Sequence, residues 1–174
     1  MRAFLTGLLM SLVATTSQGA PVSGVFQSID GGTLDLETYR GRPVLVVNTA
    51  SMCGFTGQYD DMQVLYDTYR DQGLVVLAVP SNDFNQELGS AEEVLEFCEV
   101  RFDLDLPLAD ITPVTGAAAH PFYQAVRQQT GFVPRWNFNK ILLSPRGEVV
   151  ATWGSLTKPM SSSIRRAVEE QLKG

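Results

Sequence analysis

The chain has 174 residues, 44% of them hydrophobic and 18% charged, with a formal net charge of −6. That length suits one domain with a core that needs no disulfide or metal staples, and its 13 Lys+Arg against 19 Asp+Glu form no basic run of the kind a nucleic-acid backbone requires. Two Cys and one His are too few to fill the shell of a structural zinc site, so any chemistry must use few reactive groups.

Residues 1–20 read as a secretory signal peptide: Arg2 is a short positive region, 3–14 is apolar, and Ser17, Gly19 and Ala20 supply small residues for cleavage. The apolar stretch is short for a membrane span. Residues 21–174 are therefore expected as a single exported domain, periplasmic or secreted.

Along that domain, 25–29 and 33–36 flank Asp30-Gly31-Gly32, a turn sequence that predicts an N-terminal hairpin. The apolar run 44–50 predicts a strand covered on both faces. Tyr59, Met62, Leu65, Tyr66 and Tyr69 then recur at helical spacing up to Gly73. A second buried strand at 74–79, stopped by Pro80, completes a βαβ unit with parallel strands. Ser90 and Glu93 form a capping box that opens a helix through Phe102. His120-Pro121 starts another, ending near Gly131, and His120 is read as structural. Residues 138–143 and 148–153 flank the turn Ser144-Pro145-Arg146-Gly147 as an antiparallel pair, and Ile164, Val168 and Leu172 mark the last helix. The order β-α-β-α-β-β-α predicts an α/β, thioredoxin-like fold with an N-terminal β-hairpin and a helical insertion at 103–135.

Cys53 lies just past the carboxyl end of the first core strand, the edge where sites of open α/β sheets gather. Helix N-terminal amides following it would favour the thiolate, the nucleophilic form of cysteine, and Gly54, lacking a Cβ, would leave the sulfur approachable. Cys53-Gly54-Phe55-Thr56 has Thr where a C-x-x-C redox motif needs its second Cys, so disulfide exchange within the chain requires Cys98.

Three blocks, VLVVNTASMCGFTGQY (44–59), VPSNDFNQELGS (79–90) and WNFNKILL (136–143), resemble the signature blocks of the glutathione peroxidase family, in the same order and across most of residues 21–174. The resemblance implies a peroxidatic Cys53 in Cys rather than selenocysteine form, surrounded by Gln86, Trp136 and Asn137, whose amide and indole N–H groups donate to thiolate and peroxide oxygen. The second block departs from the family pattern F-x-x-Q-E-P: it is one residue shorter, Leu88 stands in place of the Pro, and Asp83 replaces a frequent Gln. Ser81 stands where many relatives carry another Cys. Cys98, in EEVLEFC, resembles the resolving cysteine of the thioredoxin-dependent branch, which implies a Cys53–Cys98 disulfide and local unravelling of the 91–102 helix if the two sulfurs start apart.

The expected activity is reduction of hydrogen peroxide and organic or lipid hydroperoxides, with no metal or organic cofactor. A thioredoxin-like reductant is the expected electron donor ahead of glutathione, because no cationic cluster is present to hold glutathione's carboxylates. The short stretch between Gly131 and Trp136, where tetrameric relatives carry an interface segment, implies a monomer. Two other readings stay open: a thiol-disulfide oxidoreductase or redox sensor, set apart by slow peroxide consumption, and a non-catalytic thioredoxin-fold binding module, set apart by an unreactive Cys53.

Overall fold

The computed structural model describes residues 19–173; of the expected signal peptide only Gly19 and Ala20 fall among them. Asp30-Gly31-Gly32 turns the chain back, with Gly31 and Gly32 at φ 95° and 77°, a region hostile to a Cβ. It pairs β1 (Val25–Gln27) antiparallel with β2 (Thr33–Asp35). Both strands are shorter than their apolar pattern. Ser28 leaves the hairpin to bridge Ala109, and Leu36 opens a 3-10 turn capped by Asp35, whose Oδ1 accepts from Glu37 N–H at 2.9 Å.

β3 (Val44–Thr49) and β4 (Val75–Pro80) are buried at every position and run parallel, joined through α1 (Gln58–Tyr69). β5 (Lys140–Leu143) pairs antiparallel with β3, and β6 (Val149–Trp153) with β5, giving the order β4-β3-β5-β6. This is the expected thioredoxin-like sheet.

Because alternate side chains point to opposite faces, Leu45, Val47, Val76 and Ala78 enter one core, and Val44, Val46, Val75 and Leu77 the other. The first core is closed by Tyr59, Met62 and Leu65 of α1, Val94 and Cys98 of α2 (Ala91–Phe102), and Ile164 and Val168 of α4 (Ser162–Leu172). The second takes Phe122, Tyr123 and Val126 of α3 (Pro121–Thr130) together with Phe26 of the hairpin. Both cysteines belong to the first.

Two helix starts follow their local sequence. Ser90 Oγ accepts from Glu93 N–H at 3.3 Å, and Glu93 Oε2 accepts from Gly89 N–H at 3.0 Å, opening α2. At α3, His120 Nδ1 accepts from Phe122 N–H at 3.2 Å while Nε2 donates to Val25 carbonyl at 3.0 Å, and the ring stacks on Phe26. Burial lowers the His120 pKa, which favours the neutral ring that this donor-acceptor pair needs. The structural reading of His120 therefore holds.

Candidate active site

The chain leaves β3 at Thr49 and enters α1 only at Gln58. Cys53 is thus held in a run of turns, not against the first turn of a helix as expected. The amide that reaches it belongs to the turn: Phe55 N–H donates to Cys53 Sγ at 3.5 Å. Thr56 N–H to the Cys53 carbonyl at 3.2 Å closes the same turn. The Cys53 side chain is buried, its neighbour Met52 is 65% exposed, and a Cβ placed on Gly54 would meet nothing within 4 Å. The space beside Gly54 is therefore open, while Cys53 itself is buried.

The second block packs directly on this loop. Met52 N–H donates to the Gln86 carbonyl at 2.8 Å, so Gln86 is anchored one residue from Cys53. Asn137 Nδ2 donates to Gln86 Oε1 at 3.0 Å. That bond uses the amide oxygen of Gln86 and leaves its Nε2 hydrogens for another acceptor. Asn137 is itself fully buried, with its carbonyl held by Ser155 Oγ at 2.6 Å.

Trp136 is 40% exposed, and its ring leans on Phe84, centroid to centroid 5.5 Å. Its backbone carbonyl accepts from Asn48 Nδ2 at 3.0 Å and Asn139 Nδ2 at 2.7 Å. The fold therefore bonds Gln86 to the Cys53 loop and Asn137 to Gln86, with Trp136 packed on Phe84 of the same block, although Leu88 stands in the second block where the family pattern has Pro. A hollow of about 370 Å³ borders Trp136, walled by Phe132, Val133, Asn139 and Ser155. The cavity of about 240 Å³ along α3, lined by Tyr123 and Arg127, includes none of the four residues.

Cys98 does not join that group at the surface. It is fully buried on α2, and both thiols are free. Burial pushes the Cys98 thiol up to about 12; the neighbouring Tyr59 hydroxyl works against that shift, and the charges of Glu87 and Glu99 add to it.

Around it lie polar atoms that sequence reasoning missed. Tyr59 Oη, Thr49 Oγ1, Ser51 Oγ and Glu87 Oε2 are all sealed from solvent without a hydrogen-bond partner. Tyr59 had shown only helical core spacing. The other oxygen of Glu87 is well held, accepting from Ser51 N–H at 3.0 Å and Leu88 N–H at 2.8 Å. Lys140, inside buried β5, donates from Nζ to Gln58 Oε1 and to the Thr157 carbonyl. Burial brings its pKa down to about 7, with the Asp61 charge opposing. A lysine inside the apolar run of the third block was the available signal for this residue.

The family model for glutathione peroxidase matches residues 23–127. The glutathione peroxidase homolog BsaA of Halalkalibacterium halodurans is 40% identical over 149 residues, covering 83% of this chain and 94% of its own. The glutathione peroxidase-like peroxiredoxin HYR1 of Saccharomyces cerevisiae is 37% identical over 149 residues, covering 82% and 90%. The hydroperoxy fatty acid reductase gpx1 of Synechocystis is 38% identical over 143 residues, covering 76% and 85%. Among solved structures, Trgpx in apo form matches with a TM-score of 0.69 at 30% identity, covering 86% of this chain and 93% of its own.

Proposed function

The chain belongs to the glutathione peroxidase family and is a thiol peroxidase that reduces hydroperoxides, and we propose that it works through a peroxidatic Cys53 and a resolving Cys98. The Cys53 thiolate attacks the terminal oxygen of ROOH, and the O–O bond breaks. Cys53 leaves as the sulfenic acid, and the departing alkoxide takes a proton to become ROH. The Cys98 thiol then attacks that sulfur, an S–S bond forms, and the hydroxyl of the sulfenic acid departs with the thiol proton as water. A thioredoxin-like dithiol reduces the disulfide and is itself oxidised, restoring both thiols.

The observation that carries this reading is the linked pair of contacts Met52 N–H to Gln86 carbonyl and Asn137 Nδ2 to Gln86 Oε1. They anchor Gln86 beside Cys53 and turn its N–H donors away from Asn137, available to the oxygen that develops charge as O–O breaks. Trp136, with its carbonyl fixed and its ring partly exposed against Phe84, is the second donor in this reading. The departure of Cys98 from its buried pocket is part of the same cycle, since a thiol at about 12 is almost wholly protonated at neutral pH.

The hollow beside Trp136 and the exposed side chain of Met52 suit bulky organic hydroperoxides as well as hydrogen peroxide, in keeping with the fatty-acid hydroperoxide named for the Synechocystis relative. A monomeric state and export directed by residues 1–20 belong to the same reading. Sedimentation of the purified protein tests the first, and the mass of the protein recovered from the exported fraction tests the second.

Stopped-flow oxidation by hydrogen peroxide, with intact mass at each stage, tests the cycle. Cys53→Ser abolishes the reaction and Gln86→Ala slows it. Cys98→Ser accumulates one sulfenic acid and fails to turn over with a thioredoxin-type donor. Turnover of Cys98→Ser at the wild-type rate refutes the resolving role.

A further inference from the structure

Glu87 is a half-buried carboxylate that the cycle above leaves without a task. It follows Gln86 in the chain, three residues before the α2 cap at Ser90. One of its oxygens joins two segments: Ser51 N–H lies two residues before Cys53, and Leu88 N–H leads into α2. The other oxygen is sealed from solvent and unpartnered, as are the hydroxyls of Thr49, Ser51 and Tyr59. An ionised oxygen there has given up water for weak compensation, and burial outweighs the Ser51 and Leu88 contacts on the carboxylate.

Resting on the two-cysteine reading, we propose that Glu87 is a positioning residue that sets the release of Cys98. Its carboxylate ties the Cys53 loop to the entrance of α2, and its unpartnered oxygen biases the docked helix toward opening. When α2 lifts, Oε2 reaches water and Cys98 becomes exposed, its thiol returning toward the ordinary value near ~8.5. Both changes favour attack on the oxidised Cys53.

The direction of the pH effect follows. Burial raises the Glu87 pKa while α2 is docked, with the Ser51 and Leu88 contacts opposing. The docked form therefore holds the proton more tightly than the released form and is favoured in acid. That advantage is lost as pH rises through the raised pKa, so release accelerates toward neutrality. The groups facing this pocket are Tyr59 from α1, Ser51 and Thr49 from the β3 end, and Cys98 from α2, with the charge of Glu99 also acting on Cys98. Tyr59 releases its proton only well above neutrality, and thiolate attack by Cys98, whose thiol is likewise raised, makes the step rise about tenfold per pH unit whatever Glu87 does, so the mark of Glu87 is the steepness beyond that.

Glu87→Gln keeps an acceptor for Ser51 and Leu88, removes the charge, and adds N–H donors for the orphaned hydroxyls. Oxidation of Cys53 by hydrogen peroxide should still occur, while the following disulfide step slows by about tenfold for each unit by which the Glu87 pKa differs between docked and released forms. Below neutrality that step should rise more steeply than about tenfold per pH unit in the wild type and only about tenfold per unit in the variant. A variant that forms the disulfide at the wild-type rate with the same steepness overturns the proposal. If the variant fails to fold, the wild type alone decides: a disulfide step that rises no more than about tenfold per unit between about pH 5 and 7 overturns it. Cys98→Ser, run alongside, separates the two readings. Its arrest at the sulfenic acid with Glu87→Gln behaving as wild type sinks only the role of Glu87, whereas its normal turnover sinks the resolving role and this proposal with it.

Discussion

The cap of α2 offers a direct handle on the resolving step. Ser90 Oγ accepts from Glu93 N–H at 3.3 Å at an exposed position, so Ser90→Ala removes one helix-end acceptor and leaves the core packing in place. Losing such a cap costs about 1 kcal/mol, within a range of roughly 0.5–2. If α2 must lift before Cys98 attacks, the opening equilibrium rises about fivefold, and by roughly 2- to 30-fold across that range. The docked thiol, at about 12, is thiolate in about one molecule in 10⁵ at pH 7, whereas a released thiol near ~8.5 is about 3% thiolate. Release is therefore worth about a thousandfold in reactive sulfur, enough to suppress attack from the docked helix. In a single-turnover mixing experiment the oxidation of Cys53 should be unaffected and the disulfide phase about fivefold faster. Ile164→Val in α4 is the control, since it costs about 0.5–1.5 kcal/mol in the same core without touching the α2 cap, and its disulfide phase should match the wild type. A Ser90→Ala protein that has lost stability yet forms the disulfide at the wild-type rate would refute the requirement for opening.

Asn137→Asp replaces the donor that faces Gln86 Oε1 with an acceptor, so the Gln86 amide turns round and its N–H donors point away from substrate; Cys53 oxidation should slow by about tenfold, the worth of one charge-assisted hydrogen bond, and an unchanged rate removes Gln86 from the reaction. Lys140 has a folded pKa of about 7, below its unfolded value near ~10.4, so between about pH 7 and 10 the unfolded chain binds more protons and this group makes stability rise with pH. Urea titrations at the two ends of that window should show the rise in the wild type and its loss in Lys140→Met; equal slopes would disprove it. Asp83 Oδ2 accepts from Val114 N–H and Thr115 N–H, both at 2.7 Å, tying the Gln86 loop to the 103–135 insertion. Asp83→Ala should cost about 2 kcal/mol, and a loss below about 0.5 kcal/mol in denaturant titration would show that these bonds are replaced by water.

What could be read from the sequence is what short-range physics decides. β3 and β4 announce themselves because burial on both faces turns each into an unbroken apolar run, and α2 does so because its cap lies in four consecutive residues. The strand expected from Phe138 begins instead at Lys140, because Phe138 takes φ 59° to bring its N–H to the Asn48 carbonyl, while Asn139 N–H reaches Asn48 Oδ1 at 3.1 Å. That turn is imposed by a residue some 90 positions away, so no local pattern could reveal it. The run of turns between β3 and α1 is likewise a tertiary matter, the Cys53 loop being pinned by Gln86 and Glu87.

The same distinction explains which parts of the site were legible. Cys53, Gln86, Trp136 and Asn137 were visible as a pattern of blocks, but the bonds that give each amide its direction cross from one block to another. Glu87 and Lys140 looked like ordinary charged residues because burial is a property of neighbours, not of residue type. Their neighbours treat them differently: Lys140 has both a carbonyl and an amide oxygen to hold its ammonium, whereas Glu87 has donors on one oxygen only. Burial works against the charge of both, lowering the Lys140 pKa and raising that of Glu87, so neither braces the fold by its charge; complete partners hold Lys140 in place, whereas a half-satisfied Glu87 is easier to free. That asymmetry fits their places in the fold, with Lys140 in the central sheet and Glu87 at the entrance of the helix that must release Cys98.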